Sequence, residues 1–216
     1  MNISDNIIKE KLKNVYFLTG GAYGGKTTMA KLIEKKYGML RYREGDHWHR
    51  YASIATPEYQ PAMSMDRASD WHGYFAQPPK QYAQWLTDSA REQAEFAIMD
   101  LIHLSKKGNV IADTNIPVDI LRKITDYDHV VILFAPEEMT RKHYFDRADK
   151  DEVFQLIMSF PDGEALLHNV VEALHHDVDS RIQEYKDSGF LYLERKDDDT
   201  IERTLKKIEQ HFGLIR

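Results

Sequence analysis

The stretch Gly20-Gly21-Ala22-Tyr23-Gly24-Gly25-Lys26-Thr27 decides the fold of this 216-residue chain. The residues before it, 14–19, form a short apolar run that favours a buried strand. After it, apolar residues recur every four positions until Gly38, which predicts a helix over 26–37. The sequence therefore places a glycine-rich turn between a strand and a helix.

A loop of this composition is suited to binding phosphate. Glycines let the backbone wrap closely around phosphate oxygens, and the backbone N–H groups and the helix N-terminus offer positive partial charge. Lys26 would neutralise the β- and γ-phosphates of a nucleotide, and the Thr27 hydroxyl would ligate magnesium. Tyr23 is bulky for such a loop, so its ring must point away from the phosphates or stack on another group. The candidate nucleotide-binding residues of this loop are Gly20, Gly21, Ala22, Tyr23, Gly24, Gly25, Lys26, Thr27 and Thr28.

Strand and helix patterns alternate along the rest of the chain. Further strands are predicted at 39–43, 110–113, 129–134 and 190–193. Helices are predicted at 81–107, at 137–186 with an interruption near 161–163, and at 200–212, with a short one beginning near Pro117. Strands that alternate with helices are typical of an α/β domain with a mostly parallel sheet.

Composition limits the function classes. The chain carries 29 Lys and Arg against 35 Asp and Glu, a net charge of −6, and no cysteine. Disulfides, Cys-ligated metals and thiol nucleophiles are therefore excluded. Excess negative charge argues against a long polyanion as partner, so phosphate must be bound by a local positive site. No stretch approaches the ~20 apolar residues of a membrane span, and the start lacks the apolar core of a secretory signal. We therefore expect a cytoplasmic protein.

The glycine-rich loop in its strand–helix context resembles that of the P-loop NTPases. A guanine-reading N/T-K-x-D motif is not matched, because Arg195 stands at its first position in 195–198, and a transporter signature such as L-S-G-G-Q is absent. The layout resembles small-molecule kinases of the nucleoside/nucleotide kinase-like group, of the shikimate-kinase and chloramphenicol-phosphotransferase types. This resemblance covers most of the chain, although only the loop is a highly specific motif.

The resemblance implies an α/β, three-layer P-loop NTPase fold. Its mostly parallel five-stranded sheet would have the order 2-3-1-4-5, with helices on its faces. Residues 1–216 would form a single kinase-like domain, in which 46–86 is a helical acceptor-binding segment and 137–160 is a lid.

Two acids follow predicted strands, and the resemblance gives each a role. Asp46, after the second strand, would orient the acceptor hydroxyl and accept its proton. The alternative is that Asp46 caps the segment that follows. Asp113, at the end of the third strand, would hold magnesium together with Thr27, directly or through water. The alternative for Asp113 is a turn residue at the strand end.

Three arginines are further candidates that the resemblance implies. Arg141 and Arg147 lie in the lid, where they would stabilise charge on the transferred phosphoryl group. The alternative is a solvated amphipathic helix with local charge pairs. In related kinases the loop after the last strand flanks the adenine, so Arg195 would stack there, and a surface role is its alternative.

Aromatic residues are concentrated in the predicted acceptor region. Nine lie within 42–85, where an even spread of the chain's 24 would place about five. They are Tyr42, Trp48, Tyr51, Tyr59, Trp71, Tyr74, Phe75, Tyr82 and Trp85. Aromatic faces suit a planar or sugar-bearing acceptor. For most of these rings we expect instead that they pack a secondary helical core.

Three functions are compatible with these patterns. The main hypothesis is an ATP- and Mg²⁺-dependent phosphotransferase that moves the γ-phosphoryl group to a hydroxyl of a nucleoside, nucleotide, sugar or antibiotic-like acceptor. The second is a kinase for the 5′-hydroxyl of a nucleic acid, with a basic channel lined by Arg41, Arg43, Arg50 and Arg67. The third is a nucleotide-sensing module without an acceptor, whose aromatic segment would be exposed for a partner. The acidic charge favours a small nucleotide over a long polyanion, and the missing guanine motif favours ATP over GTP.

Overall fold

Five parallel strands form the centre of the protein in a computed structural model that describes residues 3–21, 23–64, 70–136, 139, 151–196 and 199–215. The strands are β1 (Val15–Gly20), β2 (Leu40–Arg43), β3 (Val110–Asp113), β4 (Val130–Phe134) and β5 (Leu191–Glu194). Their order in the sheet is β2-β3-β1-β4-β5, and all four pairings are parallel. The predicted strands and the predicted order 2-3-1-4-5 are confirmed.

Helices connect these strands. They are α1 (Asp5–Lys11), α2 (Lys26–Tyr37), α3 (Trp48–Ala52), α4 (Trp71–Phe75), α5 (Pro79–Leu104), α6 (Val118–Ile124), α7 (Asp151–Met158), α8 (Gly163–Lys186) and α9 (Ile201–His211). Short 3₁₀ turns occupy Glu44–His47 and Tyr127–His129. The helix predicted at 26–37 has those bounds, and the predicted interruption near 161–163 separates α7 from α8.

Three short helices were not predicted, namely α1, α3 and α4. Helix α1 has seven residues and none is fully buried, although Ile8 packs against the core shared with α5 and α6. Helices α3 and α4 have five residues each, which is too short for a helical period to be recognised. Their formation depends on packing against the rest of the protein rather than on local pattern.

Helices cover both faces of the sheet. Phe17 of β1 packs on one face in a core shared with α5 and α6. Leu18, the next residue, packs on the opposite face with residues of α2 and α9. Successive strand residues point to opposite faces, so a strand buried on both sides places the sheet in the middle of three layers. The predicted three-layer α/β fold of the P-loop NTPases is confirmed, with the glycine-rich loop between β1 and α2.

A second hydrophobic core lies beside the sheet and contains much of the aromatic segment. Tyr74, Phe75, Tyr82 and Trp85 are buried there against apolar residues of α7 and α8. The indole N–H of Trp85 donates to the carbonyl of Ala62 at 2.8 Å. These contacts agree with the expectation that most of the rings pack a secondary helical core.

Within the described ranges, we find no helix with the length and apolar character that crossing a membrane would require.

Candidate functional site

The glycine-rich loop lies tightly against the end of β4. A Cβ atom at Gly20 would lie 2.2 Å from the carbonyl oxygen of Leu133, and one at Gly24 would lie 2.4 Å from the same oxygen. No side chain fits at such distances, so the packing of the loop requires glycine at both positions. The loop is thereby held at the carboxyl edge of the sheet, where ligands bind in open α/β folds.

Tyr23 has a left-handed backbone, with φ of 62°, within the glycine-rich loop, which we also call the phosphate-binding loop after its predicted role. The Cζ atom of Arg195 lies 4.8 Å from the centre of the Tyr23 ring, and the same guanidinium donates to the Tyr23 carbonyl oxygen at 3.4 Å. The ring therefore stacks on another group, as its size suggested. Ala22, the preceding residue of the predicted site, lies outside the described residues.

The Lys26 ammonium lies over the first residues of the loop. Its Nζ donates to the carbonyl oxygens of Gly20 at 3.0 Å and Gly21 at 2.9 Å. The positive charge of Lys26 is therefore held against the backbone of the glycine-rich loop, and its contact with phosphate stays a prediction.

Thr27 and Asp113, the predicted magnesium ligands, are in direct contact. The Thr27 hydroxyl donates to Oδ2 of Asp113 at 2.6 Å, and Asp113 is 6% exposed. Hydroxyl and carboxylate oxygens are ligands that Mg²⁺ prefers, and Mg²⁺ usually takes only one or two carboxylates from the protein, with phosphate oxygens and water completing its shell. Across the described ranges there is no cluster of three or more His, Cys, Asp or Glu side chains that could hold a metal. The donor pair therefore fits a magnesium–nucleotide complex rather than an all-protein metal cage.

Glu44 is the functional candidate that the sequence argument missed. It follows β2 directly and is 1% exposed. Its Oε2 accepts the backbone N–H of Asn115 at 2.5 Å, while its Oε1 has no hydrogen-bond partner among the described residues. Burial raises the pKa of Glu44 to about 7, against the opposing effects of the Asn115 N–H and of the positive charge of Lys26. The negative charge of Asp113 raises the pKa of Glu44 further. The carboxyl of Glu44 therefore interacts with charged groups of both the loop and β3.

Asp46 lies two residues further on and has a different environment. Its side chain is 52% exposed, and Oδ1 accepts from the guanidinium of Arg43 at 2.9 Å. Among the described residues this contact with Arg43 is on the side of β2, and the role of Asp46 as the proton acceptor stays a prediction. Side chains two residues apart on a strand point to the same side of the sheet. Tyr42 is buried in β2, so this spacing could have predicted that Glu44, two residues later, is buried as well.

More than half of the predicted lid lies outside the described residues. Arg141 and Arg147 lie outside the described residues, as does most of the first half of 137–160. Helix α7 occupies Asp151–Met158, and Ile157 is buried in the second core. The lid and its arginines therefore stay predictions.

A small cavity of about 110 Å³ lies between the phosphate-binding loop and the loop after β5. Arg195 and Gly24 both line it, so the arginine predicted to flank a nucleobase does lie next to the loop. The other lining residues are Gly25, Thr28, Met29, Leu133, Leu193, Glu194, Asp199, Thr200, Ile201, Thr204 and Lys207.

The arginines proposed to line a basic channel are paired with acids. Arg41 donates to Glu34 at 2.8 Å, Arg43 pairs with Asp46, and Arg50 pairs with Asp100. The fourth, Arg67, lies outside the described residues. Each of the three described arginines is therefore paired with an acid, which lowers the positive charge that they could offer to a nucleic acid.

A larger groove of about 560 Å³ lies between α5 and the segment that contains Pro61 and Ala62, and Gln81, Gln84 and Asp88 of α5 line it. The same helix packs Ala94 and Ala97 into the core under the sheet. These two sets lie on opposite sides of the helix, so the groove faces away from the sheet. We therefore do not assign it to the phosphate-binding loop.

Comparison with known proteins identifies similar folds only among solved structures. No family model and no curated protein sequence matches the chain. A shikimate kinase from Acinetobacter baumannii in complex with shikimate is 16% identical, with 91% of this chain and 90% of that chain covered and a TM-score of 0.45. A dephospho-CoA kinase from Campylobacter jejuni is 14% identical, with 94% of this chain and 99% of that chain covered and a TM-score of 0.45. The chain is thus similar to each of these two structures over most of its length.

Proposed function

We propose that the chain is an ATP- and Mg²⁺-dependent phosphotransferase that moves the γ-phosphoryl group to a hydroxyl of a small molecule. The observation that supports this most directly is the Thr27–Asp113 hydrogen bond beside Lys26 and the buried carboxyl of Glu44. A phosphate-binding loop, a candidate metal pair and a potential proton acceptor thus share one edge of the sheet.

The nucleotide phosphates would be held by the amides of the loop and by Lys26. Thr27 and Asp113 would hold the metal ion, which when bound supplies positive charge to the phosphate oxygens. Phosphoryl transfer depends mostly on positioning and charge stabilisation, which are the contributions of these residues. Arg141 and Arg147 would add positive charge over the transferring group.

Glu44 would orient the acceptor hydroxyl and accept its proton at Oε1. Its buried carboxyl is fixed by the Asn115 N–H, and a pKa of about 7 suits a general base that works near neutral pH. Gln93 of α5 also donates to the backbone carbonyl of Glu44 at 3.3 Å, so the main chain is held as well. Asp46 is the alternative proton acceptor.

A small acceptor is favoured over the two other hypotheses. The described arginines near β2 are each paired with an acid, which favours a small acceptor over a nucleic-acid channel. Most of the aromatic rings of the segment are buried, whereas Tyr59 is 70% exposed to solvent. The aromatic segment therefore offers little of the exposed surface that a partner-binding module would need.

The first test is nucleotide binding by the full chain. ATP with Mg²⁺ should raise the melting temperature by mass action, and Lys26→Ala should reduce ATP affinity at least about tenfold because it removes charge-assisted bonds to phosphate. Lys31→Ala is the matched control, since Lys31 is exposed on the same helix. A wild-type chain that binds no nucleotide would contradict the proposal.

The second test separates the two candidate bases. With an acceptor found by screening, Glu44→Gln should lower kcat by about 10²-fold or more while ATP affinity is kept, because general-base catalysis is of that size. Asp46→Asn should have a much smaller effect. A large loss of kcat in Asp46→Asn with a small loss in Glu44→Gln would instead identify Asp46 as the proton acceptor.

A further inference from the structure

We propose that Tyr23 is a positioning residue that holds the guanidinium of Arg195 as a flat wall against which a nucleobase stacks. This inference rests on the proposed function, because it requires a nucleotide whose phosphates occupy the neighbouring loop. It adds a specificity-determining role for a side chain that phosphate binding itself does not need.

The backbone of Tyr23 is the first observation. Its φ of 62° is in the left-handed region, which disfavours residues with a Cβ atom. Such a conformation persists where the surroundings hold it, and it is found preferentially at functional sites. Arg195 supplies two holding contacts, a bond to the Tyr23 carbonyl at 3.4 Å and the stack on the ring at 4.8 Å.

The placement of Arg195 is the second observation. Its backbone N–H donates to the carbonyl of Phe134 at 2.8 Å, so its main chain is fixed to the end of β4. Its side chain lines the same cavity as Gly24 and Gly25 of the phosphate-binding loop. Arg195 thus contacts Tyr23 and also borders the cavity, so a ligand in the cavity would lie next to it.

The lining of the cavity indicates the class of ligand. Met29, Leu133 and Ile201 are apolar, and Arg195 offers a planar cation. Flat guanidinium groups stack on aromatic rings and on bases. A nucleobase joined through its sugar to phosphates on the adjacent loop has this combination of shape and charge. The chain should therefore bind a nucleoside triphosphate more tightly than inorganic triphosphate.

The test compares two ligands in the full chain by calorimetry, a non-hydrolysable ATP analogue and inorganic triphosphate, each with Mg²⁺. In Tyr23→Leu the Kd of the ATP analogue should rise about two- to fivefold, the size of a lost cation–π contact. The Kd of inorganic triphosphate should not change, because the loop amides and Lys26 bind it. Tyr23→Phe keeps a ring and should behave like the wild type for both ligands.

A double-mutant cycle tests whether Tyr23 acts through Arg195. Arg195→Ala should weaken the ATP analogue, and Tyr23→Leu should add nothing further in that background. Tyr127→Leu is the control, because this exposed tyrosine lies at the amino end of β4, at the opposite edge of the sheet.

The outcomes are distinct. Equal weakening of both ligands by Tyr23→Leu would mean that Tyr23 only shapes the phosphate-binding loop, and the inference would be overturned. The inference would also fail if neither ligand were affected, or if the wild type bound both ligands equally. If the wild type bound neither ligand, the proposed function would itself be overturned.

Discussion

At the scale of single residues, burial of Glu44 makes the stability of the protein depend on pH. The pKa of Glu44 is raised from 4.5 to about 7, so between these values the native state binds more protons than the unfolded state. The stabilisation is complete below about pH 4.5 and is lost as pH rises through 7. Its size is about 3 kcal/mol of the unfolding free energy.

Glu44→Gln should remove this pH dependence, because glutamine does not titrate. Urea unfolding between about pH 5 and pH 8 measures it, and the wild type should lose stability relative to the variant as pH rises. Asp46→Asn is the matched control, since Asp46 is exposed. Parallel pH curves for the wild type and Glu44→Gln would contradict a buried, titrating Glu44.

At the scale of elements, the contact between the phosphate-binding loop and β4 leaves no room for a side chain. In Gly24→Ala a Cβ would lie 2.4 Å from the Leu133 carbonyl oxygen, so the loop or the strand must move. We expect a loss of about 1–3 kcal/mol in the unfolding free energy and weaker ATP binding.

Gly45→Ala is the control for that substitution, because a Cβ there would meet nothing within 4 Å. Its unfolding free energy should stay within about 0.5 kcal/mol of the wild type. Chemical unfolding and ATP titration of both variants give the comparison. Equal stability of the two variants would show that the loop is not packed as described.

A hydrogen-bond network joins β2, which precedes Glu44, to helices α3 and α5. The Tyr51 and Tyr42 hydroxyl groups are 2.7 Å apart, and Tyr51 also donates to Asp100, which pairs with Arg50. The Tyr51 ring stacks on Phe96 of α5 at 5.1 Å. This network holds in place the helix that follows the Glu44–His47 turn.

Tyr51→Phe should cost about 1–3 kcal/mol of unfolding free energy, because a buried hydroxyl bond is lost while the ring contact stays. Tyr59→Phe, at an exposed position, should change stability by less than about 0.5 kcal/mol. Urea unfolding of both variants measures the difference. A Tyr51→Phe protein as stable as the wild type would show that this network does not hold α3.

At the scale of the whole molecule, the net charge of −6 and the paired arginines favour small phosphate ligands. We expect no measurable binding of a labelled single-stranded oligonucleotide by fluorescence anisotropy at about 150 mM salt, where charge interactions are strongly screened. ATP binding should persist at that salt concentration, because the loop amides would contact the phosphates at close range. Tight oligonucleotide binding that weakens steeply with salt would instead support the nucleic-acid hypothesis.

The sequence predicted the sheet well because its signals are local. Short apolar runs such as 110–113 and 129–134 lie at the strands of the structure, and α2 has its predicted bounds. The segment after β2 was predicted less well. The short helices α3 and α4 there carry no readable period. Their rings pack against α5, α7 and α8, which are distant in the chain.

The sequence by itself determined a glycine-rich loop between a strand and a helix, because those signals are local. The strand order and a joint role for Thr27 and Asp113 were implied by the resemblance to small-molecule kinases, and the structure has that strand order and brings the two side chains into contact at one edge of the sheet. Only the tertiary structure decided that Glu44 rather than Asp46 lies inside, and that Tyr23 stacks on Arg195. Burial and stacking depend on partners far along the chain, namely Asn115 for the acid and the loop after β5 for the ring.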